Sequence, residues 1–224
     1  MVKKKHTSGF TIIELLIAVS ILSMLMLVGY YSYSLMLNNW QHKSGQFERQ
    51  LVDIQRQSIL LSALKSTMPW VIVNKNREPF FFFIGSEVSI LGITNTGLSD
   101  ANYPEVYRLL TRESNNTKSL IYQFESTQNI LLKTVDQNIE FEQEYIIFDD
   151  IDDFTVEYFG WPSLNEKNSG ESKQWFSTYS GIDRQLFPSK IKVTVVVGQD
   201  KYIYMAEFEK DSAKWLGPYL EDLI

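Results

Sequence analysis

Residues 8–16 read SGFTIIELL, that is Ser8-Gly9-Phe10-Thr11-Ile12-Ile13-Glu14-Leu15-Leu16. They open an apolar run that continues to Leu37, and Glu14 is its sole charge from Phe10 onward. As a helix, Phe10 to Leu37 would extend about 42 Å at ~1.5 Å per residue. The hydrocarbon core of a bilayer is about 30 Å thick. The run is therefore long enough to span a membrane and project beyond it. Lys3, Lys4 and Lys5 lie just ahead of it. Basic flanks stay on the cytoplasmic side, so the N-terminus is expected to be cytoplasmic and everything after Leu37 to face the opposite compartment. The puzzle is Glu14. A charge at the centre of a membrane helix costs on the order of 3 kcal/mol, less near an end, and a plain anchor has no use for it.

A secretory signal does not fit, because its apolar core is about 7–15 residues long and is followed by small residues. Here the weak small-residue site, Ser32-Tyr33-Ser34, lies far into the run. A plain signal-anchor accounts for the length and the lysines, but not for Gly9 or Glu14. The order of basic leader (MVKKKHTSG), Gly9, Phe10, Glu14 and long uncharged helix resembles the type IV prepilin signature. That signature is shared by pilins of type IV pili and pseudopilins of type II secretion. The resemblance implies a prepilin peptidase/methyltransferase that cuts between Gly9 and Phe10 and methylates the new amine of Phe10. Leader removal would make the chain three charges more negative than its formal -6. The exposed amine would stand four residues before Glu14, and positions i and i+4 share a helix face. A carboxylate near a helix N-terminus also suits the macrodipole. The resemblance points instead to a neighbouring subunit's amine as the partner of Glu14 during assembly; both pairings stay open.

The helix is expected to continue through residues 38–68, with an apolar face of Phe47, Leu51, Ile54, Leu61, Leu64 and Met68 at spacings of three, four and seven. Gly45 weakens it and Pro69 follows it. Beyond Pro69 the sequence turns to β-rich runs. Strands are expected at 70–73, 80–84, 88–94, 106–110, 119–124, 129–135, 154–159, 190–197 and 202–208, separated by Gly-, Asn- and Asp-rich turns. The fold class is α+β: a long N-terminal helix, membrane-spanning in its first half, packed on antiparallel β-sheet. The expected divisions are a leader at 1–9, an assembly helix at 10–37, and one α+β domain at 38–224.

Phe80–Phe83 form a conspicuous aromatic block, read as a strand buried on both faces. Residues 162–181 read as a long surface loop. Trp161, Trp175 and Phe176 flank or occupy it, and are candidate docking residues. The C-terminal half, IIFDDIDDFTVEYFGWP and then LFPSKIKVTVVV, resembles the closing part of J-type minor pseudopilins. Phe187-Pro188 stands where that pattern has Leu-Pro, and minor pilins share part of it. Taken with the N-terminus, this implies a single-pass inner-membrane protein with a periplasmic C-terminal domain, placed at a pseudopilus tip. Implied partners are a major pseudopilin, other minor pseudopilins, the inner-membrane assembly platform and the lipid bilayer. A minor pilin of a type IV pilus is the alternative, and a signal-anchored periplasmic enzyme or binding protein a more remote one.

The remaining composition argues mainly by exclusion. The net charge of -6 disfavours nucleic acid, whose phosphates need clustered Lys and Arg. Without cysteine there are no disulfides, thiol nucleophiles or thiolate metal sites. The two histidines are His6, in the leader, and His42. Ser-His-Asp chemistry and histidine zinc sites therefore lack material. The glycine loops that cradle phosphate are missing. Asp149, Asp150, Asp152 and Asp153 crowd one turn, but without the spacing of a calcium loop. No catalytic residue, cofactor or metal is expected.

Overall fold

The computed structural model describes residues 11–73, 78–98, 101–114, 117–133, 137–208 and 212–221. Gly9, Phe10 and the side chain of Phe47 lie outside the described residues. The chain divides at Val52/Asp53 into two compact units. The first helix, α1 (Ile12–Ser66), supplies the described part of the first and the opening turns of the second.

In the first unit, Ile12–Leu37 is a 26-residue stretch with a mean hydropathy of 2.5, none of it buried within the protein. Among the described residues it is the one segment long and apolar enough to cross a membrane. Its serines do not break this character. Ser20 Oγ donates to the Leu16 carbonyl and Ser23 Oγ to the Val19 carbonyl, each at 2.8 Å. The hydroxyls are thus satisfied inside the helix, as a lipid-facing segment requires.

The second unit is a layered β structure. After α1 come β1 (Thr67–Met68), β2 (Val71–Val73), β3 (Pro79–Phe81), β4 (Ile84–Ser86), β5 (Ser89–Thr94), β6 (Glu105–Ser114), β7 (Thr117–Ser126), β8 (Gln143–Phe148) and β9 (Asp153–Gly160). Then follow α2 (Leu164–Asn168), β10 (Gln174–Phe176), β11 (Tyr179–Ser180), α3 (Gly181–Arg184), β12 (Lys190–Val197), β13 (Asp200–Glu207) and α4 (Gly217–Glu221). A seven-stranded sheet has the order β11-β4-β5-β6-β7-β8, with β1 also paired to β5. A four-stranded sheet runs β10-β9-β12-β13, and β2 pairs with β3. The pairings are antiparallel. The architecture is the α+β arrangement expected.

Two apolar cores flank the larger sheet. The main one lies between it, the four-stranded sheet and the last turns of α1: Leu60 and Leu64 meet Phe81, Phe83, Tyr107, Tyr122, Tyr158 and Val193 there. A smaller core holds Ile72, Phe80, Phe82, Ile93, Val106 and Ile139. The aromatic block is buried toward both cores, but it is not the single strand expected at 80–84: β3 ends at Phe81, Phe82 and Phe83 lie in no strand, and β4 opens at Ile84 in another sheet. The block's two-residue alternation sends Phe81 and Phe83 to the main core and Phe80 and Phe82 to the smaller one. Phe83 alone meets Phe187 at 4.9 Å, Tyr158 at 5.9 Å and Tyr179 at 6.4 Å between ring centroids.

Several expectations need correction. The apolar face of the helix is rotated: Leu60, Ala63, Leu64 and then Thr67 are buried, whereas Leu51 and Ile54 are exposed. Met68 already belongs to β1. Among the described residues of α1, those that the sheets bury lie in its last turns, so the few residues there decide the packing. Residues 129–133 form no strand, and 134–135 lie outside the described residues. Ile130 and Leu132 pack on the smaller core. The Gln137 side chain accepts from the Lys133 N–H at 2.8 Å and donates to the Leu131 carbonyl at 3.3 Å, replacing a strand partner. β8 was not foreseen. It begins with Gln143 and Glu144, and most of its side chains are exposed. An edge strand of this kind shows no apolar alternation. Arg112 donates two 2.9 Å bonds to Glu144, which hold that carboxyl below its ordinary range, with Gln123 contributing a further bond. Such an exposed pair is worth only about 0–1 kcal/mol.

Phe83→Ala should destabilise the protein by about 3–5 kcal/mol, against under about 0.5 kcal/mol for Val88→Ala in an exposed turn. Urea titration of the detergent-solubilised full chain reads both, and equal midpoints would refute the assigned core. Burial also raises the phenol pKa of Tyr107, Tyr122, Tyr158 and Tyr179 above the ordinary 10.0. The unfolded chain loses these protons first. Stability is therefore intact below the ordinary tyrosine value and falls as pH rises above it. The tyrosinate absorbance of these four should appear only together with loss of the near-ultraviolet circular dichroism.

Candidate functional site

The helix start is built as a capping box. Thr11 is the last residue before α1, and its Oγ1 accepts from the Glu14 N–H at 3.3 Å. Glu14 Oε2 in turn accepts from the Thr11 N–H at 3.0 Å and from the Thr11 hydroxyl at 2.9 Å. Donors that the first helical turn leaves unpaired are thereby satisfied reciprocally. The carboxylate also sits at the positive end of the helix dipole. Glu14 Oε1 takes neither bond. Sequence reasoning paired Glu14 with an amine and missed Thr11, although Thr-x-x-Glu is itself a recognisable signature.

The segment after β9 is more ordered than the long surface loop expected. Ser163 caps α2, its Oγ accepting from the Glu166 N–H at 3.2 Å and donating to Glu166 Oε2 at 2.9 Å. Gly170, with φ of 85°, ends the helix in the left-handed region that glycine tolerates. Its N–H donates to the Lys167 carbonyl at 3.1 Å, and that of Glu171 to the Glu166 carbonyl at 3.0 Å. β10 then pairs with β9, and β11 with β4.

The three docking candidates fare differently within this segment. Trp161 is half-buried: its indole N–H donates to the Glu171 carbonyl at 3.0 Å, and Lys173 Nζ lies 4.1 Å from the ring centre. Phe176 is half-buried beneath the Arg184 guanidinium, 3.9 Å away. Trp175 is the exposed one, tilted against Phe159 at 5.2 Å with Lys192 over its ring. Arg184, which the sequence did not single out, holds the segment down. Its guanidinium donates to the Pro162 carbonyl at 2.8 Å and the Thr178 carbonyl at 3.4 Å.

The acidic turn serves structure. Asp152 Oδ2 accepts from the Gly198 N–H at 2.6 Å, joining the β8–β9 turn to the β12–β13 turn. Asp149 accepts from Ser119 Oγ at 3.1 Å. Among the described residues, no three His, Asp or Glu side chains converge as metal ligands would.

A capped apolar helix ahead of an antiparallel α+β unit defines a pilin-like architecture. Residues 4–30 match the family described as the prokaryotic N-terminal methylation motif. The matched stretch contains Gly9, Phe10, Thr11 and Glu14, and it supports a type IV pilin-like prepilin. No curated protein is similar enough to the chain to count as a relative.

Arg184→Lys keeps the charge but loses the planar fork that reaches the carbonyls of Trp161, Pro162 and Thr178 and covers the rings of Phe176 and Tyr179. Chymotrypsin should then cut at Trp175 and Phe176 several-fold faster than in the unaltered protein, by local opening of the segment. An unchanged rate would show that Arg184 does not restrain it.

Proposed function

We propose that the chain is a minor pseudopilin of a type II secretion system. In this reading it is a structural subunit, not an enzyme. The peptidase/methyltransferase removes residues 1–9, and the single-pass helix holds the protein in the bacterial inner membrane with residues 38–224 in the periplasm. It then helps to initiate or cap a short pseudopilus with a major pseudopilin, other minor pseudopilins and the inner-membrane assembly platform. The observation that carries the reading is the methylation motif over 4–30, with a carboxylate at the helix start. Side chains of α1 beyond Leu37 add support. Trp40, Leu51, Val52 and Ile54 are exposed, leaving apolar surface for neighbouring helices.

Glu14 has a chemical role in this scheme. Its Oε2 already caps the helix, and a neighbour's amine would meet Oε1. A carboxylate at the lipid boundary is costly to draw further into the bilayer unpaired, and a partner amine would relieve that cost. The second reading, a minor pilin that primes a type IV pilus, rests on the same motif and on the imperfect Phe187-Pro188 pattern.

With Gly9→Ala the leader should be retained, seen as slower gel migration, and function should be lost. Full complementation of a null strain by the uncleaved protein would overturn the processing argument. Glu14→Ala should be processed and folded, yet its crosslinking to pilin-like subunits should fall by about tenfold or more, the factor carried by about 1.4 kcal/mol. Unchanged co-assembly would remove Glu14 from the scheme. In the null strain itself, loss of protein secretion with pili intact supports the pseudopilin, and the reverse pattern the pilin.

A further inference from the structure

Three tyrosines interrupt the apolar helix well before its hydropathy ends. Tyr30, Tyr31 and Tyr33 are 74%, 66% and 61% exposed. At about 100° per residue they fall within an arc of about 160°, on one half of α1. A tyrosine has an apolar body and a polar tip, which suits the level where acyl chains meet headgroups. We infer that the outer boundary of the bilayer lies at these three tyrosines, so that phospholipid headgroups meet Tyr30–Tyr33 and Ser34–Leu37 stands outside the hydrocarbon. This rests on reading Ile12–Leu37 as the membrane anchor, and it fixes how that anchor sits.

The distances favour this register over one that reaches Leu37. Thr11 to Tyr31 is about 30 Å of helix, which equals the hydrocarbon thickness of about 30 Å. The inner boundary then falls at Thr11, where the capping box is. Helical side chains lean toward the N-terminus. Glu14 does so, its carboxylate reaching back to the Thr11 N–H at 3.0 Å. The inner end of the spanning stretch thus carries a polar group directed at water.

Burying the whole of Ile12–Leu37 is the competing arrangement. That stretch is about 39 Å long, and fitting it into about 30 Å needs a tilt of about 40°, the extreme of the observed range. Without that tilt, Tyr30 would lie about 10 Å of helix below the boundary, its hydroxyl in hydrocarbon. Burying an unpaired hydroxyl is unfavourable.

The chain has no cysteine, so single cysteines can report the boundary in the full-length protein. Ser23→Cys, Val28→Cys, Ser34→Cys and Leu37→Cys would each be purified and placed at low density in phosphatidylethanolamine/phosphatidylglycerol vesicles. Labelling by a membrane-impermeant maleimide is then read relative to Glu171→Cys, which cancels insertion in both directions. Ser34→Cys and Leu37→Cys should label within about twofold of that reference, and Ser23→Cys and Val28→Cys at least about tenfold less, as hydrocarbon excludes the reagent. Protection of Leu37→Cys equal to that of Val28→Cys overturns the inference, whether lipid or a second copy's helix covers it. In a second variant, Tyr30→Leu, Tyr31→Leu and Tyr33→Leu are combined with Leu37→Cys. Its labelling should drop several-fold as the interfacial anchor is lost. Unchanged labelling overturns the role of the tyrosines. Leader cleavage and co-assembly are read separately, so failure of the pseudopilin reading leaves this result distinct.

Discussion

A helix in lipid must satisfy its own backbone, because no water is there to do so. That constraint organises the N-terminal part of this protein. The helix interior meets it automatically through its own hydrogen bonds, but the first turn cannot. Thr11 and Glu14 close the first turn reciprocally, and Ser20 and Ser23 return their hydroxyls to carbonyls one turn back. A carboxylate in this position is therefore already useful to its own helix. In the proposed scheme an amine exposed by cleavage would give the same group a second use, at the oxygen left out of the cap.

The second unit faces the opposite problem, since it must remove a large aromatic surface from water. It does so with two cores on either face of one sheet. The alternation of Phe80–Phe83 feeds both, and two leucines of α1 close one side of the larger core. Close packing then makes small residues necessary at specific points. A Cβ on Gly181 would lie 2.5 Å from the Phe81 carbonyl, and one on Gly160 2.9 Å from the Tyr179 hydroxyl. These contacts tie the 162–184 segment to the aromatic core. What reads as a polar loop is consequently a folded part of the unit, with Trp175 left exposed on it.

Most of the fold was legible because its signals are local. Hydropathy located the helix long and apolar enough to span a membrane, and β-branched and aromatic runs located most strands of the two main sheets. The failures share a cause. β8 is an edge strand defined by its neighbour β7 and by the Arg112–Glu144 pair, neither of which is local. Residues 129–133 have strand composition, yet the Gln137 amide takes the place of a partner strand. At the candidate site, Glu14 was legible as an anomaly of charge. Its partner Thr11 was overlooked, as was the matching Ser163–Glu166 cap, although both pairs have the spacing of a capping box.

The sequence by itself determined that a lipid-length helix with one charge near its start precedes a β-rich unit. Hydrophobicity, helix periodicity and residue spacing are properties of neighbours in the chain, so they survive without any fold. Only the tertiary structure decided which face of α1 is buried, which strand forms the sheet edge, and which aromatics remain exposed. Those outcomes depend on where surfaces from distant parts of the chain meet. Leu60 and Leu61 are adjacent and equally apolar, and only the former faces the sheets that bury it completely.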